Sequence, residues 1–397
     1  YCNQTFNIKT GLNSGNNNFS LRCNAVSTIA PTTSSDLFVN LTVNDHPLAA
    51  FTFPSNGSFL NDIGILNASA SNDDQNLTRF MFELDDNTAF SSPALICDNN
   101  QSNCTFNTLT QAQCQEDAWE CYIRLNVTDS DGLKNSTLVQ IQIDNTIPAV
   151  RLEKPINDTW RNTTNNDFNY TAFDTNLDTC TLYHNETGVF AANETNLTVA
   201  NNTYDIFTIN LKDGNFIWNV LCNDSAGNSA FNSSNLTINV DTTKPKIAFS
   251  GGTEANNTYF NRNWIFANVS VNESNFVNIT FYLYNSSFDL IKNTTYTSIN
   301  QSGTTNSSIN FTNLVDANER YYYNATVIDK AGNENSTETR QTTLDNTVPQ
   351  IAFDTGTPVN NTYLNRNWIF VNVSINESNI ANITYYLYNS SFDLVND

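Results

Sequence analysis

The stretch Asn263–Asn285, NWIFANVSVNESNFVNITFYLYN, decides the fold. Ile265, Ala267, Val269 and Val271 alternate with Phe266, Asn268, Ser270 and Asn272, which is the period-two pattern of a half-buried strand. After Asn-Glu-Ser-Asn the alternation restarts at Ile279, Phe281 and Leu283. The stretch therefore reads as strand, turn, strand with one apolar face. It also recurs, 104 residues later, as NWIFVNVSINESNIANITYYLYN over Asn367–Asn389. Between residues 253–293 and 357–397, 30 of 41 positions are identical. A repeat this close sets the architecture.

Four junctions punctuate the chain: Asn44-Asp-His-Pro47, Asp144-Asn-Thr-Ile-Pro148, Asp241-Thr-Thr-Lys-Pro245 and Asp345-Asn-Thr-Val-Pro349. Their prolines stand 101, 97 and 104 residues apart. Proline lacks a ladder donor and stiffens the chain, so it suits a short linker or the first residue of a strand. Each repeat also carries a late strand running into a tight turn: Phe216–Cys222 before Asn-Asp-Ser-Ala-Gly227-Asn, and Tyr322–Val327 before Ile-Asp-Lys-Ala-Gly332-Asn. A weaker copy is Ile123–Val127 before Thr-Asp-Ser-Asp-Gly132. Units of about 100 residues with several short alternating strands predict β-sandwiches of the immunoglobulin or fibronectin kind.

The expected fold class is all-β: tandem sandwiches in a linear array, with an incomplete half-domain at each end. The units fall at 47–147, 148–244 and 245–348. Residues 1–46 match the second half of a repeat, because Asn18–Cys23 and Leu37–Val43 align with Asn215–Cys222 and Asn235–Val240. Residues 349–397 match the first half. Half a sandwich leaves open edges and half a core. The expectation is a window cut from a longer array, or completion of one copy's trailing half by the leading half of the next.

The Asp-x-Thr-x-Pro junctions and the Val-x-Asp-x-Ala-Gly-Asn turn resemble the tandem immunoglobulin-like repeats of bacterial and archaeal surface proteins. That resemblance covers nearly all of the chain. It implies stalks, adhesins, surface-layer proteins and spacer modules, and its density of glycosylation signals leans archaeal.

Only 14% of the 397 residues are charged, yet the net charge is -22. Asparagine alone makes up about one residue in six. Seventeen scattered Lys and Arg make a nucleic-acid face improbable. No apolar run approaches a membrane span. Eight cysteines without zinc spacing read as disulfides and hence as an oxidising, extracellular setting. Repeat alignment puts Cys180 at the position of Ile279 and Cys222 at that of Val327, both core-facing. The pair is expected to pin strands across the interior, with Cys2 and Cys23 as its counterpart in the leading half. Cys97, Cys104, Cys114 and Cys121 allow three connectivities. Local pairs 97–104 and 114–121 are preferred over nested 97–121 and 104–114.

Roughly three dozen Asn-x-Ser/Thr sequons occur. Many place an apolar residue at x, which in a strand turns Asn and Thr to water. Candidate N-glycan acceptors are Asn40, Asn126, Asn169, Asn196, Asn235, Asn268, Asn278, Asn310, Asn324, Asn372 and Asn382. Plain alternation of polar and apolar residues produces the same pattern.

Acidic residues gather near the junctions (Asp45, Asp129, Asp131, Asp144, Asp241, Asp345). Calcium between domains is one reading, and turn-capping carboxylates are the other. Trp160, Tyr259, Trp264, Tyr282 and Tyr284 offer either a sugar-stacking platform or ordinary packing. His46 and His184 have no acid or nucleophile at motif spacing, so no catalytic residues are assigned and the chain is not read as an enzyme. The expected function is structural: a glycosylated extracellular rod or filament that joins to itself. An adhesin stalk and a surface-layer subunit are the alternatives.

Overall fold

The computed structural model describes residues 17–26, 34–297 and 304–395. The chain divides into two compact units. The first holds Tyr1–Thr159, Asn165–Asn210 and Phe216–Ile238, and the second holds Trp160–Thr164, Leu211–Asn215 and Asn239–Asp397.

In the first unit, one sandwich has a five-stranded sheet in the order Ser58–Leu60, Lys134–Ile143, Cys121–Asp129, Leu77–Asp85, Ala94–Asn99. Its other layer is the antiparallel pair Ile63–Asn67 and Asn103–Asn107. Leu66 and Phe106 of the pair share a core with Phe82, Leu84, Ile123 and Leu125 of the sheet. A second sandwich follows. Its three-stranded sheet runs Ala149–Lys154, Asn165–Phe173, Thr203–Asn210. In its larger sheet Leu177–His184 pairs with Gly214–Asp224 on one side and Ala191–Asn196 on the other, with Ser229–Phe231 beside Gly214–Asp224. Phe168 of the smaller sheet meets Trp218 of the larger edge-on, with ring centroids 5.0 Å apart.

The second unit contains the sandwich built on the Asn263–Asn285 stretch. Ile265–Asn272 is the middle strand of a three-stranded sheet, between Lys246–Phe249 and Thr304–Phe311. Phe276–Tyr284 lies in the other sheet, between Ala317–Asp329 and Leu290–Tyr296. Ile265, Val269, Ile279, Phe281 and Leu283 are all fully buried, each worth about 1.5–3 kcal/mol of transfer free energy. The strand–turn–strand thus does not form a hairpin: its two halves enter opposite sheets, and the shared apolar face is the space between them. A short segment, Thr258–Phe260, closes one sheet edge by parallel pairing with Arg340–Asp345. Ser58–Leu60 does the same against Lys134–Ile143 in the first sandwich.

Two further strand pairs lie outside the sandwiches. Asn17–Val26 pairs with Ser34–Val43, and Gln350–Phe353 with Val373–Asn376.

Cys97 bonds Cys104, Cys114 bonds Cys121, and Cys180 bonds Cys222. The nested arrangement of the middle four does not occur. Cys97 and Cys104 sit on strands of different sheets, so this bond ties the two layers at their edge. The cross-interior expectation for Cys180–Cys222 is corrected. Their strands are antiparallel neighbours in one sheet, and the two cysteines are direct register partners with Cα atoms 4.1 Å apart. Residues directly opposite on one face both point to the core, so a core-facing position does not reveal which sheet holds its partner. Cys2, and the side chains of Cys23 and Asn40, lie outside the described residues.

His184 takes the core position that Leu283 fills in the next sandwich, and it is 6% exposed. Burial pushes its imidazole below the ordinary value, opposed by Glu186 and Asn193. A depressed folded-state pKa gives stability that is present above pH about 6.5 and lost as pH falls through the folded value. Thermal melts from pH 7.5 to 5 should therefore show less acid loss of Tm for His184→Leu than for wild type. Parallel curves would refute this role for the histidine.

Candidate functional site

The junctions are built by side chains that reach back across them. In Asp-x-Thr-x-Pro, the aspartate carboxylate caps its own turn. Asp144, Asp241 and Asp345 each accept, at Oδ1, the N–H of the threonine two residues on, at 3.1 Å. This is an Asx turn, which is why Asp-x-Thr recurs. The outer oxygen then faces the following repeat. Asn176 Nδ2 donates to Asp144 Oδ2 at 2.8 Å, Asn275 Nδ2 to Asp241 Oδ2 at 2.7 Å, and Asn379 Nδ2 to Asp345 Oδ2 at 2.9 Å. The Asn379 bond holds the Asp345 carboxyl below its usual range.

A second clasp comes from the late turn. Gly227 and Gly332 have φ of 95° and 85°, a left-handed conformation that glycine adopts without strain. The turn brings Asn228 and Asn333 back under their aspartates, so Asp224 and Asp329 accept each asparagine's backbone N–H at 2.8 Å and its Nδ2 at 2.8 Å. The same Nδ2 groups donate to the linker carbonyls of Asp144, at 2.9 Å, and Asp241, at 2.7 Å. Both asparagines are buried. In the first repeat Leu133 stands at this position, and Asn44 Nδ2 instead bonds Asp129 Oδ2 at 2.8 Å.

These clasps gather carboxylates. Asp144, Asp174 and Asp224, all buried, bring one oxygen each within 4.8 Å of the others. Asp241, Glu273 and Asp329 do the same at the next junction. Three ionised carboxylates this close repel by about 3–4 kcal/mol per pair at an effective dielectric near 20. Burial pushes the Asp144 and Asp174 carboxyls up, reinforced by Asp117 and Asp224. Asp174 Oδ2 is buried without a hydrogen-bond partner. Asp144 and Asp241 were singled out in the sequence. Asp224 and Asp329 stood there only as turn residues of the Asp-x-Ala-Gly-Asn motif, and Asp174 and Glu273 were not noted: their signal was an acidic residue two before Asn176 and Asn275, recurring at the same place in each repeat.

Among the glycan candidates, Asn235, Asn310 and Asn382 are exposed, and Asn126, Asn196, Asn268, Asn278, Asn324 and Asn372 are half-buried. Asn169 is 7% exposed and is withdrawn, because a folded chain leaves it no room for a sugar. Its strand is buried on both faces from Phe168 to Ala172, so alternation there does not mean a wet face. The aromatic candidates also have other partners. The Arg262 guanidinium lies 3.7 Å over the Trp264 ring and 4.0 Å over Phe260, and pairs with Glu254. Lys330 Nζ is 5.3 Å from the Trp160 ring. Tyr282 and Tyr284 stack on each other at 6.3 Å, and Tyr259 is exposed.

No family model matches the chain, and no curated protein matches it. Solved structures do. A tetra-tandem repeat from the extending region of a large adhesion protein is 13% identical, covers 84% of this chain and 83% of its own, and has a TM-score of 0.32. The three N-terminal domains of the bacteriophage RB49 highly immunogenic outer capsid protein are 13% identical over 75% of this chain and 99% of theirs, with a TM-score of 0.33. The FN1–FN3 domains of chicken CNTN1 are 9% identical over 76% and 99%, at 0.30. At that level the resemblance is to a chain of sandwiches and to nothing finer.

Removing an amide clasp strands a linker carbonyl. Asn228→Ala and Asn333→Ala should each cost about 1–3 kcal/mol in chemical denaturation and speed limited proteolysis at residues 144–148 and 241–245 respectively. Unchanged cleavage at the matching linker would show that the clasp does not hold the joint.

Proposed function

We propose that the chain is a structural protein of the cell exterior, a rod of tandem immunoglobulin-like domains bounded at 46/47, 147/148, 244/245 and 348/349. The joints carry this reading. A flexible tether has no use for side chains of one repeat locked onto the linker before it, whereas a spacer that must keep its direction does. The disulfides Cys97–Cys104, Cys114–Cys121 and Cys180–Cys222 support an oxidising compartment. No helix among the described residues is long and apolar enough to cross a membrane.

Self-joining is part of the proposal. Ile369, Ile383 and Leu387 are 56%, 45% and 52% exposed, while their counterparts Ile265, Ile279 and Leu283 are fully buried. The counterparts are covered in part by Ala317–Asp329, paired with Arg340–Asp345. The pair Asn17–Val26 and Ser34–Val43 corresponds in sequence to such late strands, so the cover can come from a second copy or from more of the same chain. Contacts of this head-to-tail type propagate as filaments. Negative-stain images of the purified 397-residue chain should show rods that lengthen end to end with concentration. Compact round particles would refute the rod, and rods that stay single would refute the joining. A distinct tip on single rods would favour an adhesin stalk, and a planar sheet a surface layer.

N-glycans at exposed sequons such as Asn235, Asn310 and Asn382 would shield strand edges from pairing and proteolysis. Protein from its native host should therefore have an intact mass well above the 44.3 kDa of the bare chain. A mass equal to that value would remove glycosylation from the proposal.

A further inference from the structure

We propose that the two carboxylate clusters, Asp144–Asp174–Asp224 and Asp241–Glu273–Asp329, are calcium sites that lock consecutive repeats together. Each takes one carboxylate from a linker and two from the repeat that follows. Three oxygens within 4.8 Å of one another match the spacing of ligands around one ion. The ion pairs of Arg79, Arg124, Arg151, Arg262 and Arg340 all go to other acids. The amides of Asn176, Asn228, Asn275 and Asn333 supply hydrogen bonds without cancelling charge.

A buried acceptor with no protein donor leaves a lone pair free for a cation. Asp174 is 8% exposed and its Oδ2 has no partner, while its Oδ1 accepts the Asn176 N–H at 2.8 Å. Glu273 Oε1 takes the equivalent Asn275 N–H at 2.6 Å. The first junction repeats the theme with an amide in place of the linker carboxylate. There Asn44 Oδ1 and both oxygens of Asp74 are buried and unpartnered. Unpartnered acidic oxygens thus recur at the same step of the first two repeats, at Asp74 and Asp174, and Glu273 occupies that step in the third.

The chemistry selects the ion. Three carboxylates in an irregular cage, with solvent free to complete the shell, suit Ca²⁺, which accepts 6–8 oxygens in flexible geometry. Mg²⁺ requires near-octahedral order and gives up water reluctantly. Access exists at the later junction, where Asp241 and Glu273 line a cleft of about 580 Å³ together with Trp160, Asp213, Lys244 and Lys246. A dication bridging three like charges in a joint makes bending there costlier, so calcium would set the stiffness of the chain. This inference does not depend on self-joining or on glycans.

The test titrates CaCl₂ into the EDTA-treated 397-residue chain by calorimetry, beside Asp174→Asn, Glu273→Gln and the double variant. Both substitutions keep side-chain shape, and near-UV circular dichroism confirms folding. Wild type should bind with Kd of roughly 10⁻⁴–10⁻³ M, as extracellular calcium modules do. Each single variant should lose one ion per chain, and the double variant two. MgCl₂ should bind at least tenfold more weakly. Should a variant fail to fold, wild type alone decides: 10 mM CaCl₂ should raise Tm by about 2–8 °C over EDTA. No uptake, a double variant that binds as many ions as wild type, equal affinity for Mg²⁺, or an unmoved wild-type Tm would each overturn the proposal.

Discussion

A linker of a few residues between two sandwiches leaves backbone carbonyls with no ladder of their own, and this chain answers with a side chain from the next repeat. Asn228 and Asn333 fill that need for the carbonyls of Asp144 and Asp241. Much else follows from their placement. Each asparagine reaches the linker only because the glycine before it turns left-handed and because an aspartate four residues back holds its backbone N–H. That aspartate ends the strand whose other residues are core: Trp218, Val220 and Cys222 in one repeat, Tyr323, Ala325 and Val327 in the next. The core strand therefore aims the turn, and the turn grips the linker.

The strands were legible because their alternation is regular and their apolar members sit on one face. Ile265 through Val271 and Ile279 through Leu283 could be assigned to the core from sequence alone, and the structure buries all of them. What periodicity cannot convey is the partner. Cys180 and Cys222 both faced inward, yet whether they met across the interior or side by side depended on sheet order, which is a long-range property. The same limit explains Asn169. Polar alternation marked it as outward, and only the covering of that outward face shows it to be dry. The junction motif was visible as letters, and its proline was read for stiffness. Its aspartate and threonine prove to form a turn whose second oxygen serves the neighbouring repeat.

The duplicated stretch isolates this limit in one molecule. Residues 263–285 and 367–389 carry nearly the same sequence, and Leu283 is fully buried where Leu387 is half exposed. The local instruction is nearly identical, and what covers Leu283 is the strand Ala317–Asp329, in which Tyr323 is its register partner. A repeat of this kind specifies an apolar face early and covers it late. Its stability then rests on closing a long loop, whose entropy is spent before the core rewards it. The disulfide Cys180–Cys222 spans such a closure in the second sandwich, its ends 42 positions apart in sequence.

Composition and joint chemistry meet in the asparagines. The chain has 39 acidic residues and 17 Lys and Arg, so cations are too few to pair with every carboxylate. Amides replace them as donors at each joint: Asn176, Asn228, Asn275, Asn333 and Asn379 all bond an aspartate there. An amide satisfies a lone pair but leaves the charge in place. Burial makes that remaining charge more costly, which is why the Asp144 and Asp174 carboxyls are pushed up. A joint assembled from neutral donors around three carboxylates is thus geometrically complete and electrostatically unfinished. Its geometry holds the carboxylates where a cation would find them already gathered, so that binding need not order them first.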